Sequence, residues 1–146
     1  MMLPDSNIWL ALAFDKHAFH RPAAAWLAGL ATPETLLLCR ATQHSLLRLL
    51  TTRAVAAPYG IPPLANATAW GVCAGFLADE RVGWAEEPRG LEAQWRKWAG
   101  HSQASPKLWM DAYLAALAFV GGHRLVTTDL GFRQFAGLNL LVLAKN

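Results

Sequence analysis

The chain has 146 residues, 54% apolar and only 16% charged, with 13 basic against 10 acidic side chains for a formal charge of +3. That length fits one domain with one core spanning residues 1–146, and the charge bias is too mild and too dispersed to mark a disordered nucleic-acid arm. The longest wholly apolar helical run, Leu114–Val120, is far too short to cross a bilayer, so no membrane association is expected.

Met1–Asp5 reads as a short first strand ending in an acid, and Asp5 interrupts any signal-peptide core. Ser6–Phe14 reads as a helix, and Arg21–Leu30 as a second one opened by Pro22. Thr35–Cys39 is a continuous apolar run, consistent with a buried strand. Thr42–Thr52 sets Leu46, Leu47, Leu49 and Leu50 at helical spacing, and Tyr59–Pro63 is a Pro/Gly loop. Leu64–Asp79 predicts a further helix with Trp70, Cys73, Phe76 and Leu77 on one face. Arg81–Ala85 fits a short strand, and Pro88–Ala99 an amphipathic helix carrying Leu91, Trp95 and Trp98. Ser105-Pro106 is a helix opening. The helix it predicts runs to Val120, stops at Gly121-Gly122 and is apolar nearly all round, as a buried central helix would be. Arg124–Thr127 reads as a strand ending beside Asp129, and Leu138–Leu143 as the last strand.

Strand and helix signals alternate throughout, which predicts an α/β fold with a mostly parallel central sheet buried on both faces. Cys39 and Cys73 lack metal or redox spacing and are expected as buried free thiols in a reducing cytoplasm. Seven Trp with so little charge point equally to a generous core and to apolar surface covered by a partner or a second copy.

Most of the acids (Asp15, Glu34, Asp79, Glu80, Glu86, Glu87, Glu92) lie in polar or loop-like contexts and read as solvated. Three do not. Asp5 and Asp129 follow strands, where each has an alternative role as a helix cap. Asp111 lies in an early turn of the most apolar helix. A carboxylate buried there costs several kcal/mol without compensation. The helix N-terminus returns only about 0.3–1 kcal/mol. Ligands bind beyond the carboxyl ends of parallel strands. Three acids converging there would suit a hard divalent cation, which takes oxygen ligands and can activate water against a phosphodiester. Thr127 and Thr128 supply hydroxyls beside Asp129.

Three segments resemble the motifs of the PIN-domain family: Asp5-Ser6-Asn7, Asp111-Ala112-Tyr113-Leu114-Ala115-Ala116, and Thr127-Thr128-Asp129-Leu130-Gly131-Phe132. Their order and spacing agree with the family over the whole chain. His17, His20 and the Thr42–Arg48 segment make the chain similar to the VapC-type toxins within it. The resemblance implies a three-layer sandwich, one or two Mg²⁺ or Mn²⁺ ions at Asp5, Asp111 and Asp129, and cleavage of structured RNA, often tRNA. It also implies homodimers and inhibition by a small cognate antitoxin.

One departure stands out. The family's Glu in the helix of Thr42–Thr52 is missing, with Gln43 or Ser45 in its place. Gln43 and Thr127 then orient waters, and an attenuated RNA-binding or regulatory protein is the alternative reading. Arg48 lies in the family-like segment and is the basic residue most apt to meet RNA phosphate, ahead of Arg40 and Arg53. His17, His20 and His44 lack zinc spacing and fit surface or capping roles. Trp95, Trp98 and Trp109 fit core or interface roles. A dehalogenase-type phosphatase would need an acid where Asn7 stands, and a response-regulator receiver would need an acidic pair before Asp5.

Overall fold

The computed structural model describes residues 1–31 and 35–145; Glu34, read above as solvated, lies outside them. Five strands form one sheet: β1 (Met2–Pro4), β2 (Leu36–Leu38), β3 (Val82–Trp84), β4 (Arg124–Thr127) and β5 (Leu140–Val142). Their order is β3-β2-β1-β4-β5, and every pairing is parallel. Around the sheet lie α1 (Ser6–Ala13), α2 (His20–Ala28), α3 (Arg40–Leu50), α4 (Arg53–Ala56), α5 (Asn66–Ala78), α6 (Leu91–Ala99) and α7 (Leu108–Gly121).

Side-chain alternation along the strands divides the core in two. Leu36 and Leu38 pack with Trp9, Leu10, Leu46, Leu50 and Cys73 from α1, α3 and α5. Leu37 points the other way and joins Leu3, Leu125, Leu91, Leu114 and Leu117, which brings α6 and α7 onto the opposite face. The result is the three-layer α/β sandwich expected from the alternating elements.

The chain runs outward from β1 to β2 and β3, then crosses to β4 and β5. The direction of winding therefore reverses between β1 and β4, where Leu3 lies opposite Leu125 and Pro4 opposite Val126. The Asp5 amide donates to the Val126 carbonyl at 2.9 Å, extending that pairing to the strand ends. A crevice at the carboxyl ends of such a strand pair is the usual ligand site of doubly wound sheets.

Several boundaries differ from the sequence reading. Helix α3 begins at Arg40 rather than Thr42, because Thr42 Oγ1 accepts the Cys39 amide at 3.1 Å and closes a capping box on a residue that is not a usual cap. Helix α7 begins at Leu108; the Ser105 carbonyl accepts the Leu108 amide at 3.0 Å, so Ser105-Pro106 forms a turn before the helix. Helix α4 and the 3₁₀ turn Ala57–Tyr59 precede the Pro/Gly loop and carried no periodic signal.

The expected buried face of α5 is also corrected. Trp70 is 55% and Leu77 40% exposed, while Ala69 and Cys73 are buried. Phe76 meets the Trp9 ring with centroids 4.9 Å apart. The helix is apolar on every side, so periodicity could not choose a face; small residues won because they admit the close approach of α3. The same holds for α7, where Ala112, Ala115, Ala116 and Ala118 are buried while Trp109, Met110 and Phe119 are exposed. Both cysteines are buried free thiols, as expected.

Truncating Leu117 to Ala should lower the free energy of unfolding by about 2–5 kcal/mol, since its side chain is fully enclosed on α7. Met110→Ala on the exposed side of the same helix should change it by no more than about 0.5 kcal/mol. Urea denaturation of the two variants checks the assignment of faces.

Candidate functional site

Asp5 is the first residue beyond β1 and is only 4% exposed. Its Oδ1 accepts the amides of Asn7 at 2.9 Å and Ile8 at 3.1 Å, so it caps α1. Its Oδ2 accepts the hydroxyl of Thr127, the last residue of β4. Thr127 Oγ1 in turn accepts the Asp129 amide at 3.0 Å. Asp129 Oδ1 accepts the Gly131 amide at 2.7 Å and caps the 3₁₀ turn Leu130–Gln134. Both strand-end acids thus hold the capping roles that the sequence offered as alternatives. Capping uses one oxygen of each and leaves the carboxylates at the sheet's edge.

The electrostatics tie the third acid to these two. Burial pushes the Asp5 carboxyl up to about 6; the Thr127 hydroxyl and the two amides hold it back, and the charge of Asp129 adds to the rise. Asp111, half-buried in the first turn of α7, is pushed up by burial and then by Asp129. Asp129 therefore acts on both. The ion pairs among the described residues, Arg81 with Asp79 and Arg96 with Glu92, involve none of the three. Among the described residues no three ligating side chains already stand close enough to grip one ion. Like charges this near without a cation between them raise one another's pKa, as Asp129 does to Asp5 and Asp111. The donor set is oxygen-rich and uncompensated, with a hydroxyl alongside, and its chemistry fits a hard divalent cation that keeps several waters.

Gln43 is buried on α3, and its Oε1 accepts from Arg40 Nη1 at 2.6 Å. The Arg40 guanidinium also lies 4.5 Å from the centre of the Trp84 ring. Gln43 makes no hydrogen bond to any of the three aspartates among the described residues; the structure ties it to Arg40 instead. Ser45, the other residue at the position of the family's Glu, is buried on the same helix. Glu87 accepts the Tyr113 hydroxyl at 2.8 Å, and this is the bond it makes rather than one within the acid group.

His17 Nδ1 accepts the Phe19 amide at 3.0 Å within the connection between α1 and α2, and His20 Nδ1, 2.8 Å from the Ala11 carbonyl, ties the start of α2 to α1. His44 and Arg48 line a groove between α3 and α5 with Asn66 and Trp70. Trp95 and Trp98 pack against the core, while Trp109 is exposed and meets Trp95 edge-on. Sequence reasoning missed His101, Lys107 and Gln134, which frame a cleft beside Asp111. The one available signal was the four-residue spacing from Lys107 to Asp111.

The family model described as PIN domain matches residues 2–138. Ribonuclease VapC41 of Mycobacterium tuberculosis is 55% identical over 146 residues, covering 99% of this chain and all of that protein. Among solved structures, VapBC2 from Rickettsia felis, bound to a DNA fragment from its promoter, aligns with a TM-score of 0.68 at 13% identity and covers 98% of both chains. Mycobacterium tuberculosis VapC20, a toxin that cleaves the sarcin–ricin loop, aligns with a TM-score of 0.67 at 19% identity over 94% of this chain and 96% of its own. Helices in the described residues include none long and apolar enough to cross a membrane.

A carboxyl whose pKa is raised on folding binds its proton more tightly in the folded state, so its stabilising effect is full at low pH and is lost as pH rises. For Asp5 the window runs from its ordinary 3.8 to about 6, and the loss is about 3 kcal/mol at 1.36 kcal/mol per pKa unit. Arg81 holds Asp79 at about 2, so that group titrates in a separate, lower window. In chelator-treated buffer the melting temperature should fall between pH 4 and pH 6.5. Asp5→Asn, which keeps a good capping residue, should flatten that decline in thermal unfolding.

Proposed function

The chain belongs to the PIN-domain family, and from that membership we propose that it is a Mg²⁺- or Mn²⁺-dependent endoribonuclease that cuts structured RNA, with tRNA as the first substrate to try. The observation that carries the reading is the Thr127 hydroxyl joining Asp5 to Asp129 at the point where the sheet reverses its winding. The 55% identity to a ribonuclease along its whole length supports the same chemistry.

Asp5, Asp111 and Asp129 are the residues that would hold the cation. When bound, the ion supplies positive charge to the phosphodiester under attack and acidity to a water. The protein's own part is positional. Thr127 fixes the rotation of the Asp5 carboxylate through Oδ2 and fixes the Asp129 backbone through its amide. The α1 cap fixes Oδ1. Burial of Asp5 excludes bulk water from one side of the group and strengthens its attraction for a cation. Gln43, with its Oε1 taken by Arg40, keeps its NH₂ as a donor to orient a water.

The biological setting we propose is that of a cytoplasmic toxin, working as a homodimer and silenced by a small cognate antitoxin. Similar structures solved as toxin–antitoxin complexes support the partner. Exposed Trp70, Leu77, Trp109 and Phe119 are apolar surface of the kind a second chain covers. A second reading, an attenuated RNA-binding or regulatory protein, is favoured by one observation: a neutral, Arg-bonded Gln43 stands on the helix where the family has a carboxylate.

With tRNA as substrate, cleavage products should appear on addition of Mg²⁺ and disappear with chelator. Asp5→Asn should bring cleavage below detection. Thr127→Val should lower the rate about 10–100-fold, as loss of an orienting hydroxyl behind a metal ligand does. Gel assays of the three proteins read this directly. RNA binding without products from the native chain would hand the case to the attenuated reading.

A further inference from the structure

A cleft of about 550 Å³ opens beside Asp111, lined by His101, Ser105, Pro106, Lys107, Leu108 and Gln134. Its walls come from two segments that also carry the acids. One is the turn leading into α7, which bears Asp111; the other is the 3₁₀ turn Leu130–Gln134, which Asp129 caps. The cleft therefore adjoins the acids at Asp111, which lines it. Gln134 is held in the wall by donation from its Nε2 to the Gly131 carbonyl at 2.9 Å.

The charges in this cleft are arranged unusually. Lys107 and Asp111 are four residues apart, a spacing at which a surface Lys and Asp commonly pair. They do not: the ion pairs among the described residues lie elsewhere, at Arg81–Asp79 and Arg96–Glu92. Lys107 and His101 are both exposed. Two potential cations thus border the cleft while the adjacent carboxylate stays unneutralised. An anion seated against Lys107 and His101 would be drawn to these two side chains.

Resting on the nuclease reading above, we propose that this cleft is a substrate subsite that seats a phosphate of the RNA backbone flanking the scissile bond. Lys107 is its main contact and His101 a second. It is sequence-independent, because a side-chain ammonium reads phosphate charge and not bases. It orients the strand so that the neighbouring phosphodiester lies over Asp5, Asp111 and Asp129. Lys107 is a positioning residue and takes no part in bond making or breaking.

The test separates binding from cleavage. In an Asp5→Asn background, tRNA affinity is measured by fluorescence anisotropy across a salt series, with and without Lys107→Ala. The expected result is severalfold weaker binding at low salt and a slope of log K against log salt shallower by about one. Lys16→Ala, an equal change of charge beyond the far end of α1, should leave the slope nearly unchanged. In the cleaving chain, Lys107→Ala should raise KM with little effect on kcat, and Lys107→Arg should restore it. An unchanged slope, or a loss equal to that of Lys16→Ala, overturns the subsite while leaving the nuclease reading intact. A Lys107-dependent slope in a native chain that cuts no RNA upholds the subsite and overturns catalysis. A chain that binds no RNA overturns both.

Discussion

The arrangement rests on one buried hydrogen bond, from the Thr127 hydroxyl to the Asp5 carboxylate. It closes the top of the β1–β4 pair, joining residues 122 positions apart in the chain. Because Pro4 lies opposite Val126 in this hydrogen-bonded pair, Asp5 falls level with Thr127, and Asp129 lies two residues further along the chain. That placement is set by the backbone and by the Thr127 hydroxyl. The remaining sheet serves to hold these two strands: β2 and β3 on one flank, β5 on the other, and a helical layer across each face.

The same closure has an energetic cost. Asp5 is placed where burial opposes its charge and Asp129 adds repulsion, and Asp129 acts on Asp111 in the same sense. A sequence optimised for stability alone would relieve this with a basic partner or an amide. The Arg40 guanidinium is committed to Gln43 and Trp84. Uncompensated charge in an otherwise consistent fold is what is generally found where stability is given up for chemistry, and the acids proposed above to hold the cation carry it. Capping softens the conflict, since two amides bond Asp5 and one bonds Asp129.

Much of this was legible beforehand. Strands β1, β2 and β4 announced themselves as apolar runs, and the acids after β1 and β4 stood out because so few acids lie in apolar context. Membership of the family was readable from three short segments. What was not readable was the choice of face on α5 and α7. Both are apolar all round, and burial was decided by which small residues let neighbouring helices approach, a tertiary matter. The start of α3 was hidden because a Cys–Thr capping pair is an uncommon signal. The tie between Gln43 and Arg40 depends on side-chain rotation, and the Lys107 cleft depends on a turn meeting α7 from elsewhere in the chain. The first leaves no local trace, and the second only the four-residue spacing from Lys107 to Asp111.

The long separation between Asp5 and Thr127 also has a consequence for how the protein is made. During synthesis β1 and its acid leave the ribosome early and can pair with β2, but the neighbouring position in the sheet stays vacant until the segment carrying β4 has followed. A domain generally folds as one unit. A partly made chain therefore carries an incomplete set of acids, and the three cannot come together before β4 and Asp129 have been made.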